Sequence, residues 1–208
     1  MHKQPNLIFV HGSGQSKLSY NFLKIFLPEH KDLCLEYDTA EEPDKILKRF
    51  QFLADQEFEG EPVSIIAHSY GCLLATLFSK EYKNVNNLVT LSSPWAGSRT
   101  AKWLALVFRQ SQLFKNTQPG SPLLNAISET KLEFPIINII STGTSSSGNA
   151  LAGMGAPNDG LLTVETQKQV PSTFTNVNNI ELALSHNELL FSMEVVELIK
   201  DMFFNETK

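Results

Sequence analysis

Cysteine is scarce in this chain: 208 residues hold two, Cys34 and Cys72. A disulfide-stapled scaffold carries more, and a thiolate metal site needs more ligands at closer spacing, so neither organises the fold. Each cysteine is expected to be reduced and to pack beside a strand as a small apolar group. Long apolar runs are also missing. No segment approaches the length needed to span a bilayer, and the first apolar run, residues 7–10, is too short for the core of a signal peptide. The expectation is a cytoplasmic chain without a transmembrane segment. Basic residues are outnumbered, 17 Lys and Arg against 22 Asp and Glu, for a net charge of -5. With no block of five or six like charges, the basic face that phosphate backbones require is absent, which excludes a nucleic-acid partner. The densest basic group, Lys45, Lys48 and Arg49, reads as the solvated side of a helix.

What is present is ordinary for a globular protein: 42% hydrophobic and 19% charged residues, in a length that fits one domain over residues 1–208. Short apolar or β-branched runs alternate with longer helical patterns. Strands are expected at 7–10, 33–37, 63–67, 88–91 and 136–140, with a sixth within 174–184. Between them, Leu18, Phe22, Ile25 and Phe26 recur at helical spacing. Pro43 suits the first residue of a helix whose apolar face holds Ile46, Leu47, Phe50, Leu53, Ala54 and Phe58. A further helix is expected over 71–82, and an amphipathic last helix over 188–204. Repeated strand–helix units predict an α/β fold, a mostly parallel sheet of about six strands with helices on both faces.

Two stretches interrupt the alternation. Residues 98–135 contain no convincing strand but many apolar side chains, and read as one or two inserted, lid-like helices. Residues 141–158, rich in Ser, Gly and Asn, read as a surface loop. Both leave from carboxyl ends of strands, where functional loops of such sheets gather.

The strongest local signal is Ala67-His68-Ser69-Tyr70-Gly71, directly after a strand and before a helix. A sharp strand-to-helix turn holds a serine hydroxyl clear of the sheet and needs small neighbours two residues away on each side, here Ala67 and Gly71. A small-x-Ser-x-small pattern also arises by chance; the strand–turn–helix setting is what raises it. A second glycine loop, His11-Gly12-Ser13-Gly14, follows the first strand. It lacks the Gly-Lys-Ser/Thr ending of a phosphate loop and the G-x-G-x-x-G frame of a dinucleotide site.

These segments resemble the lipase and esterase branch of the α/β-hydrolases, small bacterial lipases in particular. Some of those share Ala in place of the first Gly of the serine motif. The resemblance implies a serine hydrolase with Ser69 as nucleophile and the backbone N–H groups of Ser13 and Tyr70 as oxyanion donors. It also implies the chain order Ser, then Asp or Glu, then His. His186 is the one histidine after Ser69, so it is the expected base. Asn158-Asp159-Gly160-Leu161-Leu162-Thr163-Val164 resembles the segment that carries the acid, and Ser185-His186-Asn187-Glu188 the histidine segment. Asn-Asp-Gly is also good turn chemistry in its own right, and Glu165, Glu181 and Glu188 are other acids in the region. His68 and His11 are expected to brace the turn and the loop. Ser93-Pro94-Trp95-Ala96-Gly97-Ser98 and Pro119-Gly120-Ser121-Pro122-Leu123-Leu124 resemble two further lipase segments, so the likeness covers most of the chain in order. Departures are Ala67, Cys72 where a third small glycine is frequent, and the polar Ser13.

The function implied is hydrolysis of a carboxylic ester, lipid-like or small, through a Ser69–Asp159–His186 triad. Trp95, Trp103, Leu104 and Phe108 are expected to line an apolar acyl pocket. No cofactor and no metal is expected, because no Cys, His and Asp cluster has ligand spacing. Transient contact with lipid is compatible with this reading, and the oligomeric state stays open. A thioesterase or acyltransferase would use the same triad, whereas a non-catalytic binding protein would be expected to have lost one of its members.

Overall fold

The computed structural model describes residues 4–98, 111–143 and 156–204. Its centre is a parallel sheet in which each apolar run of the sequence becomes a strand. In chain order these are β1 (Asn6–Val10), β2 (Lys31–Leu35), β3 (Val63–His68), β4 (Val85–Leu91), β5 (Ile136–Ser141) and β6 (Val177–Leu182). Their spatial order is β2-β1-β3-β4-β5-β6, and every neighbouring pair is parallel. Parallel strands buried on both faces read as continuous hydrophobic runs, as in β1, β3 and β5, whereas the edge strands β2 and β6 are largely half-buried or exposed. The chain steps outward from β1 to β2 and then returns past β1 to β3. The sheet therefore has its switch point between the carboxyl ends of β1 and β3, where a crevice opens.

Alternate residues of each strand face opposite helical layers. Ile8, Val10, Ile65 and Ala67 pack with α2 (Pro43–Phe58), α3 (Tyr70–Glu81) and α5 (Pro122–Glu129). Leu7, Phe9, Ile66, Val89 and Ile139 pack on the other side with α1 (Asn21–Phe26) and α7 (Met193–Phe203). Within the inserted stretch, the described residues form two helices, α4 (Gln112–Thr117) and α5, of which α5 rests against α3. Short α6 (Val164–Lys168) lies against β5. Among the described residues no helix is long and apolar enough to cross a membrane.

Three boundaries differ from expectation. Residues Lys17–Tyr20 form a 3₁₀ turn ahead of α1. Its three residues per turn shift the phase of the following helix, so Leu18 and Ile25 are 64% and 75% exposed while Tyr20, Leu23 and Leu27 enter the core. The last helix is broken: a 3₁₀ turn over Glu188–Phe191 ends at Ser192, whose extended backbone and hydroxyl, accepting from the Glu194 N–H at 3.1 Å, start α7 afresh. The second strand begins at Lys31 and ends at Leu35, which releases Tyr37 to stack on the His11 ring, 4.4 Å away and tilted by 3°.

Candidate active site

Ser69 occupies the turn between β3 and α3 with φ 52 and ψ -126, a conformation a non-glycine residue holds only under constraint. Its N–H donates to the Leu91 carbonyl at 2.8 Å, tying the turn to the end of β4. Gly71 is required on the far side, because a Cβ there would stand 2.3 Å from the His11 carbonyl oxygen and 2.4 Å from that of Val10. The start of α3 is thus pressed against the end of β1, and the serine and glycine loops are brought together at the switch point.

The Ser69 hydroxyl lies 2.9 Å from His186 Nε2, and His186 Nδ1 lies 2.8 Å from Asp159 Oδ2. The His186 N–H also donates to the Asp159 carbonyl at 3.0 Å, so the two segments are joined through the backbone as well. Asp159 is 1% exposed. Its Oδ1 accepts from the N–H groups of Leu161 and Leu162 at 2.9 and 2.7 Å, an Asx-type turn completed by Gly160 at φ 99. The turn chemistry and the placement of the carboxylate are one arrangement. Burial alone would raise the Asp159 pKa. The hydrogen bond and charge of His186, the Leu162 N–H and the Ser141 hydroxyl outweigh it and hold the carboxyl well below its usual range. The other acids are elsewhere: Glu181 pairs with Lys168 at 2.6 Å, Glu188 caps the Ser185 N–H at 2.7 Å, and Glu165 accepts from Gln169 at 2.8 Å.

Ser13 and Tyr70 both border the cleft above Ser69, and the described turn and side-chain hydrogen bonds leave their N–H groups untaken. The neighbouring Gly12 N–H is engaged by Gln15 Oε1 at 2.9 Å. His11 braces the loop through its stacked ring, and its carbonyl accepts from the Tyr37 hydroxyl at 2.6 Å. The cleft has a volume of about 420 Å³. Its lining includes the polar Gln15, Asn187 and glycine loop and the apolar Pro94, Leu113, Phe114, Leu161 and Leu162. Helix α4 is moored there by Asn116, which donates to the Tyr70 hydroxyl at 2.9 Å.

Trp95 is not part of this lining. Its ring is buried edge-on to Phe174 at 5.6 Å, and its N–H donates to Asn138 Oδ1 at 3.1 Å, because a buried indole needs an acceptor and the sheet supplies one. Trp103, Leu104 and Phe108 lie outside the described residues. Four polar residues at the site escaped the sequence reading: Gln15, Ser92, Ser141 and Gln167. Ser92 follows the last residue of β4 and Ser141 ends β5, positions at which a serine reads as the start of a loop. Among the described residues no group of three His, Cys, Asp or Glu side chains is placed to hold a metal ion.

His68, fully buried beneath the turn, faces Gln15 Oε1 at 2.9 Å and the His186 carbonyl at 3.0 Å. Burial, reinforced by His186, pushes its pKa from 6.5 down to about 3, so it is neutral in the fold. In the unfolded chain the ring takes up a proton near its ordinary 6.5. Below that pH the unfolded state binds more protons, and stability falls by up to about 1.4 kcal/mol per pH unit until the folded pKa is reached. His11, lowered by burial, acts in the same sense. The melting temperature is therefore expected to drop between about pH 6 and pH 4, with a shallower drop in His68→Gln. Parallel melting curves for the two proteins would contradict this.

Six parallel strands in this order, with a serine on the strand–helix turn at the switch point, are the α/β-hydrolase fold, and the chain has that fold. In sequence, no protein-family profile and no curated protein matches it. Solved structures that superpose on it include the product of the Listeria innocua gene lin2722, with a TM-score of 0.66 and 15% identity over 99% of this chain and 96% of that one. The Bacillus licheniformis lipase BlEst2 superposes with a TM-score of 0.64 and 15% identity, over 96% of this chain and 91% of the lipase. The Pyrococcus furiosus esterase PF2001 gives 0.62 and 17% identity, over 98% and 84%.

Proposed function

We propose that this chain is a serine hydrolase of carboxylic esters, acting through Ser69, His186 and Asp159. One observation carries the proposal: hydroxyl, imidazole and buried carboxylate stand in series at 2.9 and 2.8 Å, with Ser69 and His186 lining the cleft. A serine hydroxyl is a weak nucleophile until a base removes its proton, and the base works only in the correct tautomer. The ionised Asp159 demands a proton on Nδ1 of His186, which leaves Nε2 free to accept the proton of Ser69. As Ser69 Oγ attacks the acyl carbon, the carbonyl oxygen gains charge and is met by the N–H groups of Ser13 and Tyr70. The Tyr70 N–H sits at the start of α3, where the helix dipole adds to the effect. His186 then passes the proton to the leaving alcohol, and the acyl group remains on Ser69. Water, deprotonated by the same ring, releases the acid.

The apolar part of the cleft lining supports an apolar acyl group, with Leu113, Phe114, Leu161 and Leu162 as the side chains that would receive it. That two of the superposing proteins are a lipase and an esterase agrees with this reading. A p-nitrophenyl ester series from acetyl to long acyl chains is expected to show kcat/KM rising beyond acetyl. Each methylene buried adds up to about 0.8 kcal/mol, until the cleft is filled. Activity highest on acetyl, with no gain from added carbons, would remove the apolar acyl assignment. No turnover of any ester would remove the hydrolase reading itself.

A further inference from the structure

The histidine of the proposed triad has a second oxygen at its Nδ1. Ser92 Oγ stands 2.8 Å from that nitrogen, the same distance as Asp159 Oδ2, and is itself hydrogen-bonded to Asp159 Oδ2. Ser92 is fully buried at the end of β4 and belongs to no recognised part of the serine or glycine loops. Its backbone has φ 52, one of three non-glycine residues in the left-handed region among the described residues, and the other at this site is Ser69. Its N–H is held by the Ile139 carbonyl at 2.9 Å, which anchors the strained residue in the sheet. Glycine would meet that conformation without strain. What glycine cannot supply is the hydroxyl.

We propose that Ser92 is a positioning residue for the hydrolytic reaction, holding the His186 ring and the Asp159 carboxylate in their working orientation. The inference rests on the triad reading given above. Its logic is a count of protons. A hydroxyl has one hydrogen, and the Ser92 hydrogen is directed at the Asp159 carboxylate, a charged acceptor that outcompetes any neutral one. The lone pairs of Ser92 Oγ are then all that it presents to His186, so Nδ1 must carry a proton to be satisfied. Asp159 and Ser92 thus both enforce the tautomer that leaves Nε2 free for Ser69. With two acceptors in different directions, the ring also resists rotation about its Cβ–Cγ bond, which one acceptor alone restrains weakly. Ser141, 3.0 Å from Ser92 Oγ and 2.5 Å from Asp159 Oδ2, and Gln167, whose side-chain N–H donates to Oδ2 at 3.2 Å, also hold the carboxylate. Of the Asp159–His186 pair they hydrogen-bond Asp159, whereas Ser92 hydrogen-bonds both.

Two variants separate the hydroxyl from the strained backbone. Ser92→Ala removes the hydroxyl and keeps a Cβ at positive φ, while Ser92→Gly removes the hydroxyl and relieves the strain. With p-nitrophenyl butyrate, both are expected to lose about 10-fold to 100-fold in kcat, the scale of a small misplacement of a reacting group, with KM changed less than twofold. The far-downfield proton resonance of His186 Nδ1 is expected to move in both variants. Thermal stability is expected to diverge, with Ser92→Gly melting above Ser92→Ala. A purely structural role predicts the reverse coupling, with activity recovering in the glycine variant along with stability. Wild-type kcat in Ser92→Gly, or an unmoved Nδ1 resonance, overturns the proposal. Ser69→Ala run in parallel distinguishes the two levels. If that variant turns over ester at the wild-type rate, the triad reading falls and this role with it. If it is inactive while both Ser92 variants match wild type, only the positioning role falls.

Discussion

Ser69→Ala is expected to lower kcat on a p-nitrophenyl ester by about 10⁴-fold to 10⁶-fold, with KM nearly unchanged. The reason lies in the division of labour at the turn. On the proposed mechanism alanine removes the oxygen that would form the acyl-enzyme, so reaction would fall back on direct attack by water. The N–H groups of Ser13 and Tyr70 and the cleft walls remain, and such remnants typically keep about 10³-fold to 10⁴-fold over the uncatalysed reaction. Because the hydroxyl contributes little to holding the ester before attack, the loss falls on kcat rather than KM. The substitution leaves the backbone at φ 52, so the fold is expected to survive. Steady-state kinetics on the purified variant, with fluorophosphonate labelling of both proteins, checks this. Labelling of wild type at Ser69 and none in the variant is the expected pattern. A variant that retains a hundredth of the wild-type kcat, or that takes up the label equally, contradicts it.

The second large effect is expected for Asp159→Asn, at about 10⁴-fold in kcat. The Leu161 and Leu162 N–H groups both donate to Oδ1, so they select the amide oxygen for that position and leave the NH₂ where Oδ2 now stands. An NH₂ there faces His186 Nδ1 as a donor and draws its lone pair. The ring proton then moves to Nε2 and points at Ser69, where it can only donate. On the proposed mechanism the base would be not removed but inverted. The same NH₂ also meets the side-chain N–H of Gln167, which already donates to the Ser141 carbonyl at 3.1 Å and cannot turn away without losing that bond. A stability loss of about 1–3 kcal/mol follows from leaving a buried donor unmatched. Kinetics together with urea unfolding measure both effects. A variant within tenfold of wild-type kcat would show that the carboxylate does not set the tautomer.

The two predictions draw on parts of the chain that differ in how much the sequence disclosed. The serine turn is a local object: strand, small residue, serine, small residue and helix follow one another within a few positions. The resemblance to the α/β-hydrolases supplied the chain order that left His186 as the one candidate base and pointed to Asp159, whose Asn-Asp-Gly turn places the carboxylate by two backbone hydrogen bonds to its own neighbours. Ser92 carried no such local mark. A serine after a strand reads as the start of a loop, and its meaning comes from Asp159 and His186, 67 and 94 residues later. Trp95 failed in the opposite direction. Beside a lipase-like segment it reads as a pocket wall, yet Asn138, 43 residues away, draws its indole into the core. Leu18 and Ile25 look like a buried stripe until a 3₁₀ turn changes the phase of the helix.

Sequence alone therefore determined whatever depends on neighbours in the chain: the buried central strands, their alternation with helices, the strained serine turn, the glycine loop opposite it and the Asn-Asp-Gly turn. These follow from periodicity, from small residues where backbones pass closely, and from side chains that bond their own backbone. The tertiary structure decided which distant groups meet. It set Nε2 of residue 186 against a hydroxyl 117 residues earlier, placed Ser92, Ser141 and Gln167 around one carboxylate, and sent Trp95 inward. Such contacts arise from the order of strands in the sheet and from the need of each buried polar atom for a partner, and neither is written in any short stretch of residues.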